Sequence, residues 1–292
     1  MNNNILQDTG VIITRPVDQS YPLINAIKQH GGSPISFPAI NIQPLHNSII
    51  KNNIRKLFNA SIIIFVSSNA AKYGIDHINL IDKKIIAVGP ATKKYLEDNQ
   101  INVSFCPEKS FNSEELLKST ILKNVNNINI TIVRGNSGRG LLKRELKKRG
   151  AKVQYIEVYK RSIFPHKKID IFNLNELCIR GDAQFIIFLS KESFTNFIII
   201  LEKNNLIFPK HIHIIIPSER VANEVKDYSD DLQYSVASDA RVQAILNVLK
   251  KHNLELASSW HSTFFLSQDI DSQLEKVRQK CSLLNKAGAK II

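Results

Sequence analysis

The residues best suited to chemistry stand directly behind short apolar runs. Thr14 and Arg15 follow the run 11–13, Ser67, Ser68 and Asn69 follow 62–66, and Gly89, Pro90 and Thr92 follow 85–88. Arg134, Gly135, Asn136, Ser137, Gly138 and Arg139 follow 130–133. Ser190, Lys191 and Ser193 follow 185–189, and Ser218 and Arg220 follow 212–216. These are hydroxyls, amides, glycines and cations, with few carboxylates and no histidine. Such a set suits an anion held by many donors, but it lacks the base for proton abstraction and the ligands for a metal. Arg134 and Arg139 are the best placed to clamp a carboxylate, because a planar guanidinium binds both oxygens at once. Tyr159 closes the run 153–159 and could give a hydrogen bond or a proton to a leaving oxygen. A tyrosine packed against a sheet is the alternative reading of the same position.

Sharper motifs fail on spacing. The glycines at 135, 138 and 140 read GxxGxG rather than GxGxxG, and no GK[ST] follows. Ser67 and Ser190 lack the G-x-S-x-G elbow of a hydrolase. His211 and His213 alternate at the entrance of an apolar run, a thin basis for a metal pair, and Ser113-Glu-Glu-Leu is a helix start.

The elements that must position these residues are short apolar strands alternating with longer amphipathic helices, the pattern of an α/β fold with largely parallel sheets. In such sheets ligands gather where strands end and helices begin, beside free backbone N–H groups. The order of pieces also repeats. VIITRP, a helix, GG and SPISFPAI in the first half match ITIVRGN, a helix, RGA and KVQYIEVYKR in the second. Likewise IIIFVSSNAA and IIAVGPAT match FIIFLSKESF and HIIIPSERVA. Two similar α/β units imply a bilobal protein with a cleft. Beyond about residue 256 the character changes. Leu266, Ile270, Leu274, Val277, Cys281 and Leu284 recur at helical spacing and predict an amphipathic helix.

Composition narrows the partners. Thirty-nine Lys and Arg stand against 26 Asp and Glu, a formal charge of +13, so an anionic partner is expected. The stretch 134–161 holds much of that excess, with only Glu145 and Glu157 opposing it. No basic patch interleaved with aromatics and no RRM, KH or helix-turn-helix signature is visible, which argues against nucleic acid. No apolar run is long enough to span a membrane, and the start lacks a secretory pattern. Cys106, Cys178 and Cys281 are scattered, which favours a reducing cytoplasm over a disulfide framework.

Read in order, IITRP at 12–16, FPAINIQP at 37–44, FVSSNA at 65–70 and AVGPAT at 87–92 give the chain a family likeness. RGNSGR at 134–139, RGA at 149–151, VYKR at 158–161 and PSERVA at 217–222 complete it. Over about residues 10–251 the chain resembles the uroporphyrinogen-III synthase family. The resemblance implies a cofactor-free hydro-lyase of tetrapyrrole and heme biosynthesis. Its substrate would be hydroxymethylbilane, a linear tetrapyrrole with eight carboxylates, cyclised to uroporphyrinogen III with loss of water. Ring D is inverted on the way through a spiro intermediate. The resemblance further implies a monomer, with transient contact to the deaminase that makes the bilane. The implied fold is two flavodoxin-like parallel-sheet lobes joined by a two-stranded antiparallel hinge, 37–44 and 153–161, with the cleft between them. The lobes would be 1–36 with 162–256, and 37–161, leaving 257–292 as an extension that the family pattern does not explain. Tyr159 matches the tyrosine of the VYxR element and becomes the candidate acid. Thr14, Arg15, Ser67, Ser68, Asn69, Gly89, Thr92, 134–139, Ser190, Lys191 and Ser218 become substrate contacts. The chain departs from the family at Ser218-Glu-Arg-Val, where a glycine and threonine are usual, and at Val66-Ser67-Ser68, where one threonine is lost. A bilobal module that binds an anion without turnover is the alternative.

Overall fold

A computed structural model describes residues 4–55, 59–108, 110–138 and 140–264. The first stretch of chain forms β1 (Gly10–Ile13), α1 (Val17–Gln29), β2 (Ser33–Ser36), β3 (Ile40–Pro44), α2 (Asn47–Arg55), β4 (Ile62–Phe65) and α3 (Ser68–Gly74). Then come β5 (Lys84–Ala87), α4 (Pro90–Asp98), α5 (Ser113–Lys118), β6 (Asn129–Gly135), α6 (Leu141–Lys148) and β7 (Lys152–Ile163). The last third adds α7 (Lys168–Ile179), β8 (Phe185–Ile187), α8 (Lys191–Lys203), β9 (His213–Ile216), α9 (Glu219–Tyr228), β10 (Tyr234–Val236) and α10 (Val242–Phe264). The chain divides into two compact units, one of Met1–Asn41 with Ile163–Ile292 and one of Ile42–Ser162.

In the first unit the sheet order is β10-β9-β8-β1-β2, and every adjacent pair is parallel. Taken from β2, this is the flavodoxin order. The β-branched runs are buried on both faces, as parallel strands under two helical layers require. Ile12 and Ile186 point into the core beneath α7, α8 and α9. Val11, Ile13, Phe185 and Ile187 point the other way, into the core under α1 and α10. In the second unit the order is β3-β7-β6-β4-β5, and the pairs β7-β6, β6-β4 and β4-β5 are parallel. There α5 and α6 cover one face and α2, α3 and α4 the other.

The sequence repeat is visible in this topology. Matching β1 to β6, β2 to β7, β8 to β4 and β9 to β5 reproduces the same spatial order in both sheets. The repeats are not laid out as tandem halves, because β1 and β2 share a sheet with β8, β9 and β10. Parallel strands end at a common edge, so each unit gathers its own strand-end residues on one side. Two bounds differ from expectation. Arg134 and Gly135 belong to β6 rather than to the loop after it. The helix α10 runs through the change of composition at 256 to Phe264, while the apolar repeat from Leu266 onward lies outside the described residues.

Candidate functional site

β7 sets the site of the second unit by breaking its own alternation. Up to Glu157 it pairs residue by residue with β6, Arg134 facing Glu157; the next pair is Gly135 with Tyr159, so Val158 is a bulge. One extra residue reverses the face of everything after it. Without it Tyr155 and Tyr159 would share a face. With it, Tyr155 packs toward α6 and Tyr159 turns to the α3 face among Val133, Ala70 and Ala71. Tyr159 is 4% exposed, and its phenol oxygen lies 3.2 Å from Ser67 Oγ. A Cβ on Gly135 would fall 2.5 Å from the ring, so the tyrosine occupies the space that a side chain there would need.

Ser67 is the N-cap of α3. It has extended backbone, and its Oγ accepts the Ala70 N–H at 3.1 Å. The same hydroxyl therefore satisfies a helix terminus and meets the phenol. Ser68 and Asn69 follow in the first turn and are half-buried. Gly89 is the N-cap of α4 and Pro90 its first residue, an arrangement suited to a helix start. Thr92 is 4% exposed and faces the interior, so it offers little to a ligand.

Arg134 is placed otherwise than a free clamp would be. It is 8% exposed, and its Nε and Nη2 donate to the carbonyls of Gly135 and Gly138, both at 3.0 Å. Its guanidinium lies 4.6 Å from the centroid of Tyr155, and Lys143 Nζ lies 4.4 Å from the same ring. The arginine thus braces the loop 135–138 from beneath. Asn136 continues the ladder: its N–H donates to the Tyr159 carbonyl at 3.1 Å, and its Oδ1 accepts the Arg161 N–H at 2.8 Å. Ser137 and Gly138 are exposed, Gly138 with φ +123°, and Arg139 lies outside the described residues.

The first unit gathers Arg15, Ser190, Lys191 and Ser218 at its strand ends, and Thr14 with them. Thr14 is fully buried and donates its hydroxyl to the Ile187 carbonyl at 2.7 Å, which ties β1 to β8. Ser190 caps α8 in a reciprocal arrangement with Ser193. Lys191 is ion-paired with Glu224 on α9. Arg15 and Ser218 differ from these. Arg15 is half-buried with no hydrogen-bond or ion-pair partner among the described residues, and burial pulls its pKa below the usual arginine value. Ser218 is the N-cap of α9 without a side-chain capping bond.

Sequence reasoning missed Tyr155 and the contact of Gly135 with Tyr159. The signal was present in the doublets Tyr155-Ile156 and Val158-Tyr159, which interrupt a period of two. His211 and His213 do not form a pair; His213 and His252 both meet Ser235 Oγ, at 3.0 and 2.5 Å. Among the described residues no group of three or more His, Cys, Asp or Glu could hold a metal, and no helix is long and apolar enough to cross a membrane.

Comparison with known proteins adds a family. The model of the family described as uroporphyrinogen-III synthase HemD matches residues 22–247. The uroporphyrinogen-III synthase of Proteus mirabilis is 28% identical over 159 residues, 52% of this chain and 80% of that protein. The uroporphyrinogen-III synthase of Chlorobaculum parvum is 24% identical over 196 residues, 64% of this chain and 77% of that one. Among solved structures, a mutant uroporphyrinogen III synthase of Thermus thermophilus aligns with TM-score 0.57 at 14% identity, covering 85% of this chain and 99% of its own. The Helicobacter pylori uroporphyrinogen-III synthetase aligns with TM-score 0.56 at 11% identity, covering 82% and 98%. At these identities the two structures speak for the fold alone.

Proposed function

The chain belongs to the uroporphyrinogen-III synthase family of tetrapyrrole biosynthesis, and from that premise we propose that it closes hydroxymethylbilane into uroporphyrinogen III. The reaction is that of a hydro-lyase. The terminal carbon–oxygen bond of the bilane breaks, pushed by the pyrrole nitrogen, and the leaving oxygen takes a proton and departs as water. The azafulvene so formed is attacked by the substituted carbon of ring D. The resulting spiro intermediate fragments and recloses with ring D inverted.

The observation that carries this reading is the hydroxyl pair of Tyr159 and Ser67, 3.2 Å apart at a sheet edge. Tyr159 is nearly buried, whereas Ser67 is half-exposed. In this reading Ser67 passes a proton to the leaving oxygen and is resupplied by the phenol behind it. After ring closure the newly bonded ring carbon loses its proton, which returns to the pair. Proton count is thus restored within one turnover, and no cofactor is required.

Most of the effect is geometric. The bilane closes by itself to the type I isomer, so the protein must hold it in the fold that favours the spiro path. Within the second unit the substrate carboxylates would be met by Ser68 and Asn69 and by the N–H groups of the helix starts and of the loop that Arg134 braces; within the first unit the groups suited to a carboxylate are Ser218 and Arg15, which has no hydrogen-bond or ion-pair partner among the described residues. The +13 charge supports a polyanionic guest. The same reading makes the protein a cytoplasmic monomer that takes bilane from the deaminase before it. The test supplies freshly generated hydroxymethylbilane and separates the oxidised porphyrins by isomer. Type III above the spontaneous type I background is expected; type I alone would leave a binding module without turnover.

A further inference from the structure

The groups proposed above for the substrate are all polar, whereas each ring of a tetrapyrrole is a flat π-face. The second unit carries a partner for such a face at the edge where its strands end. Beyond α4 the chain runs alongside β5 and parallel to it. Phe105 bridges Ile86, the Ser104 N–H donates to the Ile85 carbonyl at 2.8 Å, and the Ala87 N–H donates to the Phe105 carbonyl at 3.0 Å. A segment parallel to β5 finishes at the edge where β5 finishes. From there the chain passes the start of α4 on its way to α5, and Phe111 lies on that passage, two residues before Ser113.

Phe111 is 51% exposed, and among the described residues of this unit no other Phe or Tyr is as open. Its stem rests on the start of α4: a Cβ on Gly89 would lie 3.3 Å from Phe111 Cβ and 3.8 Å from Cγ, so the glycine leaves the room that Phe111 takes. Asn112 fixes the next residue by capping α5, its Oδ1 accepting the Glu115 N–H at 2.8 Å, and Leu116 and Leu117 of that helix are buried in the core. A single exposed apolar residue is ordinary on a protein surface. This one is braced by two helix starts and stands over one that can receive an anion. α4 has no side-chain cap, and its Thr92 and Lys93 N–H groups both bond the Gly89 carbonyl. Pro90 has no N–H, which leaves the Ala91 N–H as the open donor of that turn among the described residues. An apolar ring and an anion donor thus neighbour each other, matching the two chemistries of a carboxylate-bearing pyrrole.

We infer that Phe111 is a substrate-binding residue: its ring stacks on one pyrrole ring of hydroxymethylbilane while a carboxylate of that ring meets the Ala91 N–H at the start of α4. The inference rests on the reaction proposed above and adds to it a group that orients one ring. Aromatic pairs favour offset or edge-to-face arrangements, so a ring held on Phe111 loses rotation about its methylene bridges. A flexible bilane that must keep one fold gains from such a hold.

The test measures initial rates of type III porphyrin from freshly generated hydroxymethylbilane, with full-length wild type, Phe111→Ala, Phe111→Leu and Phe111→Tyr. Ile81→Ala, 74% exposed just ahead of β5 and so at the other end of that strand, is the control and should match the wild type. Phe111→Ala should raise KM about tenfold and leave kcat within about twofold, as loss of an interaction made equally before and in the transition state does. Phe111→Tyr keeps a flat ring and should stay within about twofold of the wild type. Phe111→Leu keeps apolar bulk without the ring and should resemble Phe111→Ala. The KM ratio of Phe111→Ala to wild type should persist as salt rises, because stacking is not screened. Unchanged KM in Phe111→Ala, or wild-type KM in Phe111→Leu, overturns the stacking and leaves the reaction standing. A lowered urea midpoint in Phe111→Ala that Phe111→Leu restores together with KM makes the residue packing and overturns it too. A wild-type chain that yields type I porphyrin alone overturns the reaction, and the stacking with it.

Discussion

Gly135→Ala tests whether Tyr159 must stand where the bulge of β7 puts it. The added Cβ would lie 2.5 Å from Cε2, 2.6 Å from Cζ and 3.1 Å from Cδ2 of the ring. Carbon contacts relax near 3.5–4.0 Å, so the ring must retreat by about 1 Å. It has little room, being packed against Val133, Ala70 and Ala71. Overpacking of this kind costs about 1–3 kcal/mol, readable as a lower midpoint in urea. A retreat of that size also breaks the 3.2 Å bond to Ser67, and misplacement by about 1 Å should lower turnover about a hundredfold. Tyr159→Phe separates ring from hydroxyl. It leaves the packing, removes about 0.5–1.5 kcal/mol of hydrogen bonding, and on the acid reading lowers turnover about a hundredfold or more. The combined variant is the sharpest arm. Both substitutions disable the same proton path and both lose the hydrogen bond to Ser67, so their activity losses should overlap and the stability cost of the double variant should fall short of the sum of the two. The assay is initial rate of type III porphyrin, alongside urea denaturation. Full turnover in Tyr159→Phe with reduced turnover in Gly135→Ala would refute the proton role and leave the tyrosine as packing. Wild-type stability and rate in Gly135→Ala would refute the geometry itself.

Arg15→Gln should raise KM for the bilane about tenfold or more by removing a charged hydrogen bond; it should leave urea stability unchanged or higher, because a half-buried cation without a partner among the described residues is relieved. Arg134→Lys should keep the charge but lose the paired bonds to Gly135 and Gly138, costing about 1–2 kcal/mol and loosening 135–138 in hydrogen exchange; intact stability with lost substrate binding would restore the direct clamp. Cys178 predicts an alkaline limb. Its folded pKa is raised from 9.0 to about 11, so the unfolded chain ionises first. Stability is therefore flat below about pH 9 and falls toward pH 11, by at most about 2–3 kcal/mol. Cys178→Ala should start less stable and lose that slope, and an unchanged slope would assign the limb to other groups.

The strands were legible because each is an unbroken β-branched or aromatic run, and burial on both faces leaves such a run no other good place. The repeat was legible too, but the exchange of β1 and β2 into the sheet of β8 to β10 came from the family resemblance and not from the pattern. Pattern reports which segments are alike, not which of two equivalent sheets a segment joins. The placement of the candidate residues was legible: strand-end residues do collect at common edges, as parallel sheets require. What composition could not assign was the use of each polar group. Thr14, Ser190 and Lys191 have the right types at the right places, but the fold's own carbonyls, helix termini and Glu224 claim them first.

Arg134 shows why residue type misleads at such an edge. Arg134 is 8% exposed, in a strand with a packed core on each face, so its guanidinium is not free to reach into solvent. It turns instead toward the nearest unsatisfied carbonyls, Gly135 and Gly138, and toward the face of Tyr155. Charge that sequence reading gave to the ligand therefore goes to the loop that would hold the ligand. The reverse holds for Ser67, the N-cap of α3. It meets the phenol only because one bulged residue, Val158, rotates Tyr159 onto its side of the sheet, and the proposed proton transfer rests on that contact. A single insertion in a β ladder thus decides whether two hydroxyls 92 positions apart in sequence can share a proton.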